Sequence, residues 1–409
     1  MVVLVDSHID DDRRYCIALH PICDRQFRHV ADELLYRAHG GAVSADITDP
    51  LIATARACST AFYEIGLNAL VGSRQLYLNV SVDWLAQPDL LPLPVEQVVI
   101  ELPECTFDDT KLQHLRDAVA KGYQIAASDR QLLQYGDLLV GLVHIAKVDV
   151  RQEGIFAILD GFRAQGLTLL ASFIESSETL SRALESGFDL LQGYFYAFPE
   201  QFQYQAQTRQ GNRSADLKLL RSLYDPNTDV GQIESLIAQD PHLCHLLFKR
   251  VNSASERRVN KISSISQAIM LLGFEKIRVL TTTLLLANNQ PIKRLLVFKL
   301  LVRAFMARQL ANRVKEIDPE VAFTAGLFSM MDQLEGVELS QILAESGLDP
   351  VITDALLLGQ GELGKLIKVI ESFESARMEK RSVKLVEALN RDYLSSVAWA
   401  QEMMSLTDD

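Results

Sequence analysis

The chain has no C-x-x-C arrangement, and its five cysteines (Cys16, Cys23, Cys58, Cys105 and Cys244) are scattered along 409 residues. An odd, dispersed set excludes a disulfide framework and a zinc ribbon and suits a reducing compartment. Long hydrophobic runs are missing as well. Stretches such as "LLVGLVHIA" reach about half of the ~20 residues a membrane-spanning helix needs. The apolar opening, Met1–Val5, is broken by Asp6, Asp10, Asp11 and Asp12, so no secretory leader is expected. Low-complexity tracts are also absent, which excludes extended disorder. Together these absences predict a soluble, cytoplasmic protein with no membrane partner.

Cations are scarce in the first half. Residues 1–205 hold 15 Lys and Arg against 28 Asp and Glu, whereas residues 206–409 hold 25 of each, so the whole net charge of -13 lies in the first half. That half repels nucleic acid, and an anionic ligand bound there needs local cations or a metal to offset the field.

What the chain does have is two kinds of periodicity. Its length exceeds the ~250–300 residues at which one core stops growing, so two domains are expected. In the first half, eight apolar strand candidates ("YCIALH", "ELLYRA", "LYLNVS", "VVIELPE", "QIAASD", "HIAKVDV", "LTLLASF", "LLQGYFY") alternate with helical patterns at 49–70, 107–121, 152–165 and 176–187, the later ones stopped by Gly122, Gly166 and Gly187. This reads as a TIM-like (β/α)8 barrel. The interval between the first two strands is too short for a helix, which makes them a hairpin and the barrel a modified one. The Gln-rich residues 201–213 read as a linker, and beyond them helical spacing replaces strand signals. The expected fold is therefore multidomain, α/β followed by all-α: a barrel over 1–200 and a helical domain over 214–409.

In such a barrel, chemistry sits where strands end. Those ends carry Asn79, Glu101 with Glu104, Asp129 beside Ser128, Lys147 with Asp149, Ser172 with Glu175, and Gln192, while Glu33 and Arg37 bracket the second strand. Carboxylates and an amide oxygen are ligands that Mg2+, Mn2+ or Ca2+ prefer, and the lysine and arginine could hold a phosphate or activate water.

The ordered set "LHPICDRQFRHVADELLYR", "LNVS", "IELPE", "IAASD", "AKVDV", "LLASFIE" and "LQGYFYAFP" resembles the motif ladder of EAL domains, the cyclic di-GMP phosphodiesterase fold, over about residues 13–200. The resemblance implies that Glu33, Asn79, Glu101 and Asp129 stand at metal-ligand positions. It implies a catalytic-lysine position for Lys147 and ligand-binding positions for Arg37 and Gln192. Three departures stand out: Ser128 where the family has a metal-bridging Asp, Ser172 for the Glu of A-E-G-V-E, and His20 for a Gln. Two cations ~3.5–4 Å apart need bridging negative charge, which a hydroxyl lacks. The sequence-based expectation is thus a degenerate barrel: not an enzyme, no catalytic residues beyond vestigial Glu33 and Lys147, a probably empty metal set of Glu33, Asn79, Glu101 and Asp129, and no cofactor unless Mg2+ or Mn2+ fills a residual site.

The second half, with "IAQDPHLCHLLFKRVNSAS", "KISSISQAIMLLGFEKIRVL" and "VAFTAGLFSMMDQL", resembles an HDOD domain, the helical relative of HD phosphohydrolases. It contains no His-Asp pair, and no histidine follows His245; "SMMD" stands where the pair would be. His242 and His245 flanking Cys244 read as helix-face residues. Lys249, Arg250, Arg257 and Arg258, with Lys261, form the densest basic cluster, a candidate interaction surface; nucleic acid is not the expected partner. The reading for the whole chain is a non-catalytic bacterial signal-transduction protein in cyclic di-GMP-related networks (motility, biofilm or surface behaviour) that acts through a protein partner of unknown identity. The alternative is a weak cyclic di-GMP phosphodiesterase, or a receptor that binds the nucleotide in the barrel.

Overall fold

The computed structural model describes residues 15–38, 66–85, 94–195, 213–238 except 226, 247, 265–287, and 291–404 except 376 and 379–381. The chain divides into two compact units, Met1–Phe195 with Phe373–Leu394, and Tyr196–Ser372 with Ser395–Asp409. The stretch expected as one helical domain therefore lends Phe373–Leu394 to the first unit.

In the first unit, β1 (Tyr15–Asp24), β2 (His29–Ala38), β3 (Gln75–Asn79), β4 (Val98–Glu101), β5 (Gln124–Ser128), β6 (Ile145–Asp149), β7 (Thr168–Ile174) and β8 (Leu190–Gly193) close a barrel in chain order. β1 runs antiparallel to β2 and β8, and the other pairs are parallel. The expected hairpin is present. Asp24 Oδ1 accepts from the backbone N–H groups of Gln26 and Arg28, which turns the chain in four residues and leaves no room for a helix.

Helices α1 (Asp109–Ala120), α2 (Asp129–Leu139), α3 (Leu159–Ala164) and α4 (Ser177–Glu185) connect the later strands. Gly122, Gly166 and Gly187 follow α1, α3 and α4 with φ of 99°, 77° and 77°, a conformation glycine adopts without steric cost. Of the helix expected over 49–70, residues 66–70 lie among the described residues, where a helix runs Leu67–Val71. The barrel interior is filled by Ile22, Ala31, Tyr77, Val99, Ala126, Ile145 and Leu170, with Leu190 packed against them, one side chain from each strand. Fully burying a large apolar side chain contributes about 1.5–3 kcal/mol, so this layer anchors the strand register above it.

One feature escaped the sequence reading. β8 pairs with β1 only at Ile22–Asp24, so among the described residues the earlier part of β1 has β2 on one side and no strand on the other. That open edge is covered by the helix α8 (Val383–Met404): Ile17 N–H donates to Asn390 Oδ1 at 2.8 Å and Leu19 N–H to Tyr393 Oη at 3.0 Å. Pro21, two residues on, has no N–H to satisfy.

The second unit is helical throughout its described residues, with α5 (Phe274–Ala287), α6 (Pro291–Ala311) and α7 (Pro319–Phe328) at its centre. Gly326 lets α7 approach α6 closely, since a Cβ there would lie 2.7 Å from Ala304 Cα. Met330 and Met331, in the "SMMD" segment, are buried as core residues. The basic cluster Lys249, Arg250, Arg257, Arg258 and Lys261, His242 and His245, and the linker apart from its final residue, Arg213, lie outside the described residues.

Candidate active site

Successive side chains on a strand alternate between faces, so the residue two steps beyond each member of the apolar layer points back into the barrel. On the parallel strands and β2, those residues are Glu33, Asn79, Glu101, Ser128, Lys147, Ser172 and Gln192. On antiparallel β1 the equivalent step backward is His20, which pairs with Glu33. An apolar layer is thus followed, toward the open face, by a ring in which every strand offers a polar side chain.

Lys147 organises the ring. Its Nζ donates to Glu33 Oε1 at 2.8 Å and to Glu101 Oε1 at 2.6 Å. Gln192 Nε2 donates to Glu33 Oε2 at 2.7 Å, and the Asn79 amide lies 3.4 Å from Glu33 Oε1. All are buried or partly buried, so the charges attract strongly in a poorly screened environment. Two carboxylates share one ammonium, and they settle differently. Burial raises the Glu33 carboxyl, but the Lys147 charge and hydrogen bond, with His20 and Gln192, outweigh it and bring it to about 2. Glu101 is raised to about 7, by burial first and then by the neighbouring Glu33 charge, despite its contact with Lys147. Lys147 itself is held above its ordinary range, because the two carboxylates outweigh its desolvation.

The base of β2 is held by a second ion pair set. Asp32 accepts from Arg74 Nε at 3.0 Å and lies 2.8 Å from His29 Nε2. These partners overcome its burial and bring its carboxyl to about 2.

The expected site residues divide three ways. Glu33, Asn79, Glu101, Lys147 and Gln192 come together. Asp129 does not join them: the chain turns into α2 directly after β5, and Asp129 Oδ2 accepts from Gln152 Nε2 at 2.9 Å. Arg37 lies in β2 opposite Cys16, and its side chain is outside the described residues. Ser128 has a structural task that the sequence reading missed. It caps α2, accepting from Gln131 N–H, while the Gln131 side chain accepts from the Ser128 N–H in a capping box. Its hydroxyl donates to Glu104 Oε1 at 2.7 Å, so a carboxylate does stand at this strand end, one strand over. The Ser-x-x-Gln spacing in "SDRQ" was the signal for the cap; nothing in the spacing announced Glu104 as its partner.

The family resemblance implies divalent metal. Glu101 Oε2 is buried without a hydrogen-bond partner, beside Glu33 and Asn79. Two carboxylates and an amide oxygen are hard donors that fit one such cation. They do not fit two bridged cations, because Ser128 brings no charge and Asp129 is held by Gln152. Among the described residues, no group of three or more His, Cys, Asp or Glu side chains is placed to hold a metal.

Residues 215–341 match the HDOD domain family. The chain is 26% identical over 404 residues to the cyclic di-GMP phosphodiesterase CdgJ of Vibrio cholerae, covering 95% of this chain and 93% of that protein. It is 27% identical over 411 residues to the uncharacterized protein YuxH of Bacillus subtilis, covering 96% and 99%. An EAL domain protein of Listeria monocytogenes aligns in structure with 19% identity over 48% of this chain and 94% of that one, with a TM-score of 0.37. These findings correct the expectation that the chain is not an enzyme, since a relative matched nearly end to end is a named phosphodiesterase. The expectation leaned on the departures at Ser128, Ser172 and His20, and at the first of these the structure puts the Glu104 carboxylate within hydrogen-bonding distance of the hydroxyl. The chain thus joins a closed eight-stranded barrel in its first unit to a segment, residues 215–341, that matches the HDOD domain family.

Proposed function

We propose that the barrel binds cyclic di-GMP and hydrolyses one of its phosphodiester bonds to give the linear dinucleotide. The observation that carries this reading is the Lys147 ammonium held between Glu33 and Glu101 at the open end of the barrel. Supporting it is the likeness, along 95% of the chain, to a cyclic di-GMP phosphodiesterase.

Each residue of the ring has a task in this chemistry. Lys147 supplies the positive charge that an anionic phosphodiester needs inside an otherwise acidic half-chain. Gln192 fixes the orientation of Glu33, which in turn holds Lys147. Glu101, whose carboxyl is raised by burial and by the neighbouring Glu33 charge, is the member of the ring that a nearby positive charge would ionise. Glu33, Asn79 and Glu101 would hold one divalent cation, which when bound polarises the phosphoryl group and lowers the pKa of water. Protein partners, and a role for the HDOD segment in transmitting a signal to them, belong to the same proposal.

The test is incubation of the full chain with cyclic di-GMP and Mg2+ or Mn2+, with chromatographic detection of product. Linear dinucleotide that forms with the wild type and falls at least 100-fold in Lys147→Met supports the reading. Absence of product at high enzyme concentration, or equal turnover in the variant, refutes it.

A further inference from the structure

We propose that Phe173, backed by Arg151, is a stacking platform for one nucleobase of the dinucleotide; this deepens the reading above and rests on it. Phe173 lies immediately after Ser172 of the polar ring, at the end of β7, where the pairing with β8 slips between Ala171 and Ile174. Its φ is 62°, a left-handed conformation that a bulky residue adopts only against a steric cost. Its side chain is nevertheless 43% exposed, so burial of the ring does not compensate that cost. Strain kept at an exposed aromatic beside a candidate site is the kind of outlier that points to a ligand.

The second observation is what stands on the ring. The Arg151 guanidinium carbon is 3.7 Å from the ring centroid. Arg151 is fixed there by Asp149, through Nε to Oδ1 at 2.9 Å and Nη2 to Oδ2 at 2.8 Å. Asp149 lies two residues beyond Lys147 on β6 and pairs with Ser172 of β7, so the stack is carried by the two strands that bring Lys147 and Ser172 into the ring. Because the guanidinium fork is already engaged by a carboxylate, Arg151 is not free to serve as a phosphate clamp. It holds the phenyl ring by one face, leaving the other to a planar partner. Near a site that takes a phosphodiester, that partner is the base. Stacking of a base on an aromatic side chain contributes enough that its loss weakens binding roughly 5- to 150-fold.

Two variants test this. Phe173→Leu keeps apolar bulk and the backbone constraint but removes the flat ring; Phe173→Gly removes the ring and relieves the left-handed conformation. Calorimetric titration of the full-length wild type and both variants with cyclic di-GMP, with melting temperatures alongside, gives the readout. Binding by the wild type that weakens at least fivefold in both variants, with the melting temperature of Phe173→Gly equal to or above the wild type, supports the platform. A turnover assay should show the same split, with KM raised and kcat nearly unchanged. Wild-type binding that both variants retain within twofold overturns the platform while leaving the proposed function standing. No binding by the wild type overturns both.

Discussion

At the scale of single residues, the site is governed by how two carboxylates share Lys147. Glu33 and Asp32, both depressed to about 2 by their cationic partners, stabilise the fold above the ordinary carboxylate range and lose that contribution as the pH falls from about 4 to about 2. Glu101 works in the opposite sense. Its folded-state carboxyl ionises near 7 instead of 4.5, so the unfolded chain releases that proton first and stability declines as the pH rises between those values. Replacing Glu101 with Gln keeps an oxygen for Lys147 and removes the titration. The melting temperature of the wild type is therefore expected to fall relative to that of Glu101→Gln as the pH rises from about 4.5 to 7, and to run parallel to it outside that window. The same residues show how far sequence can be read. Lys147 and the four side chains that meet around it were all legible, because each is a polar residue where an apolar strand pattern ends or, for Glu33, within the second strand. Asp129 was read as the end of the strand "QIAASD", and the cap formed by Ser128 turns the chain into a helix one residue earlier. Phe173 and Arg151 were not legible as a pair, since a backbone slip in β7 sets their meeting.

At the scale of elements, the β1–β2 hairpin carries Glu33 and His20 and needs its outer edge covered. Asn390 and Tyr393 do this from a helix more than 370 residues away in sequence. Such long-range pairing leaves no local pattern, which is why the C-terminal segment was read as part of the helical domain alone. Asn390 is buried, so truncating it strands the Ile17 N–H. Leaving a buried donor unsatisfied costs about 1–3 kcal/mol. Asn390→Ala is expected to lower stability by that amount and to speed amide hydrogen exchange selectively at Ile17. Tyr393→Phe should do the same at Leu19, with Tyr77 and Val99 in the barrel core unaffected in both.

At the scale of the whole molecule, the charge distribution and the ring make one argument. The first half of the chain carries the entire acidic excess, yet the ring at the barrel's open end places a lysine between its two glutamates. An acidic surface around a local cation repels bulk polyanions such as nucleic acid while still admitting a small phosphodiester to the cation. No helix among the described residues is long and apolar enough to cross a membrane. The central claim is that this ring turns over cyclic di-GMP. It is tested most directly by single-turnover hydrolysis with enzyme in excess, comparing the wild type with Glu33→Gln at matched folding. The account predicts stoichiometric conversion to the linear dinucleotide by the wild type and a rate at least 100-fold lower for the variant. Equal rates, or no conversion by either protein, would contradict it.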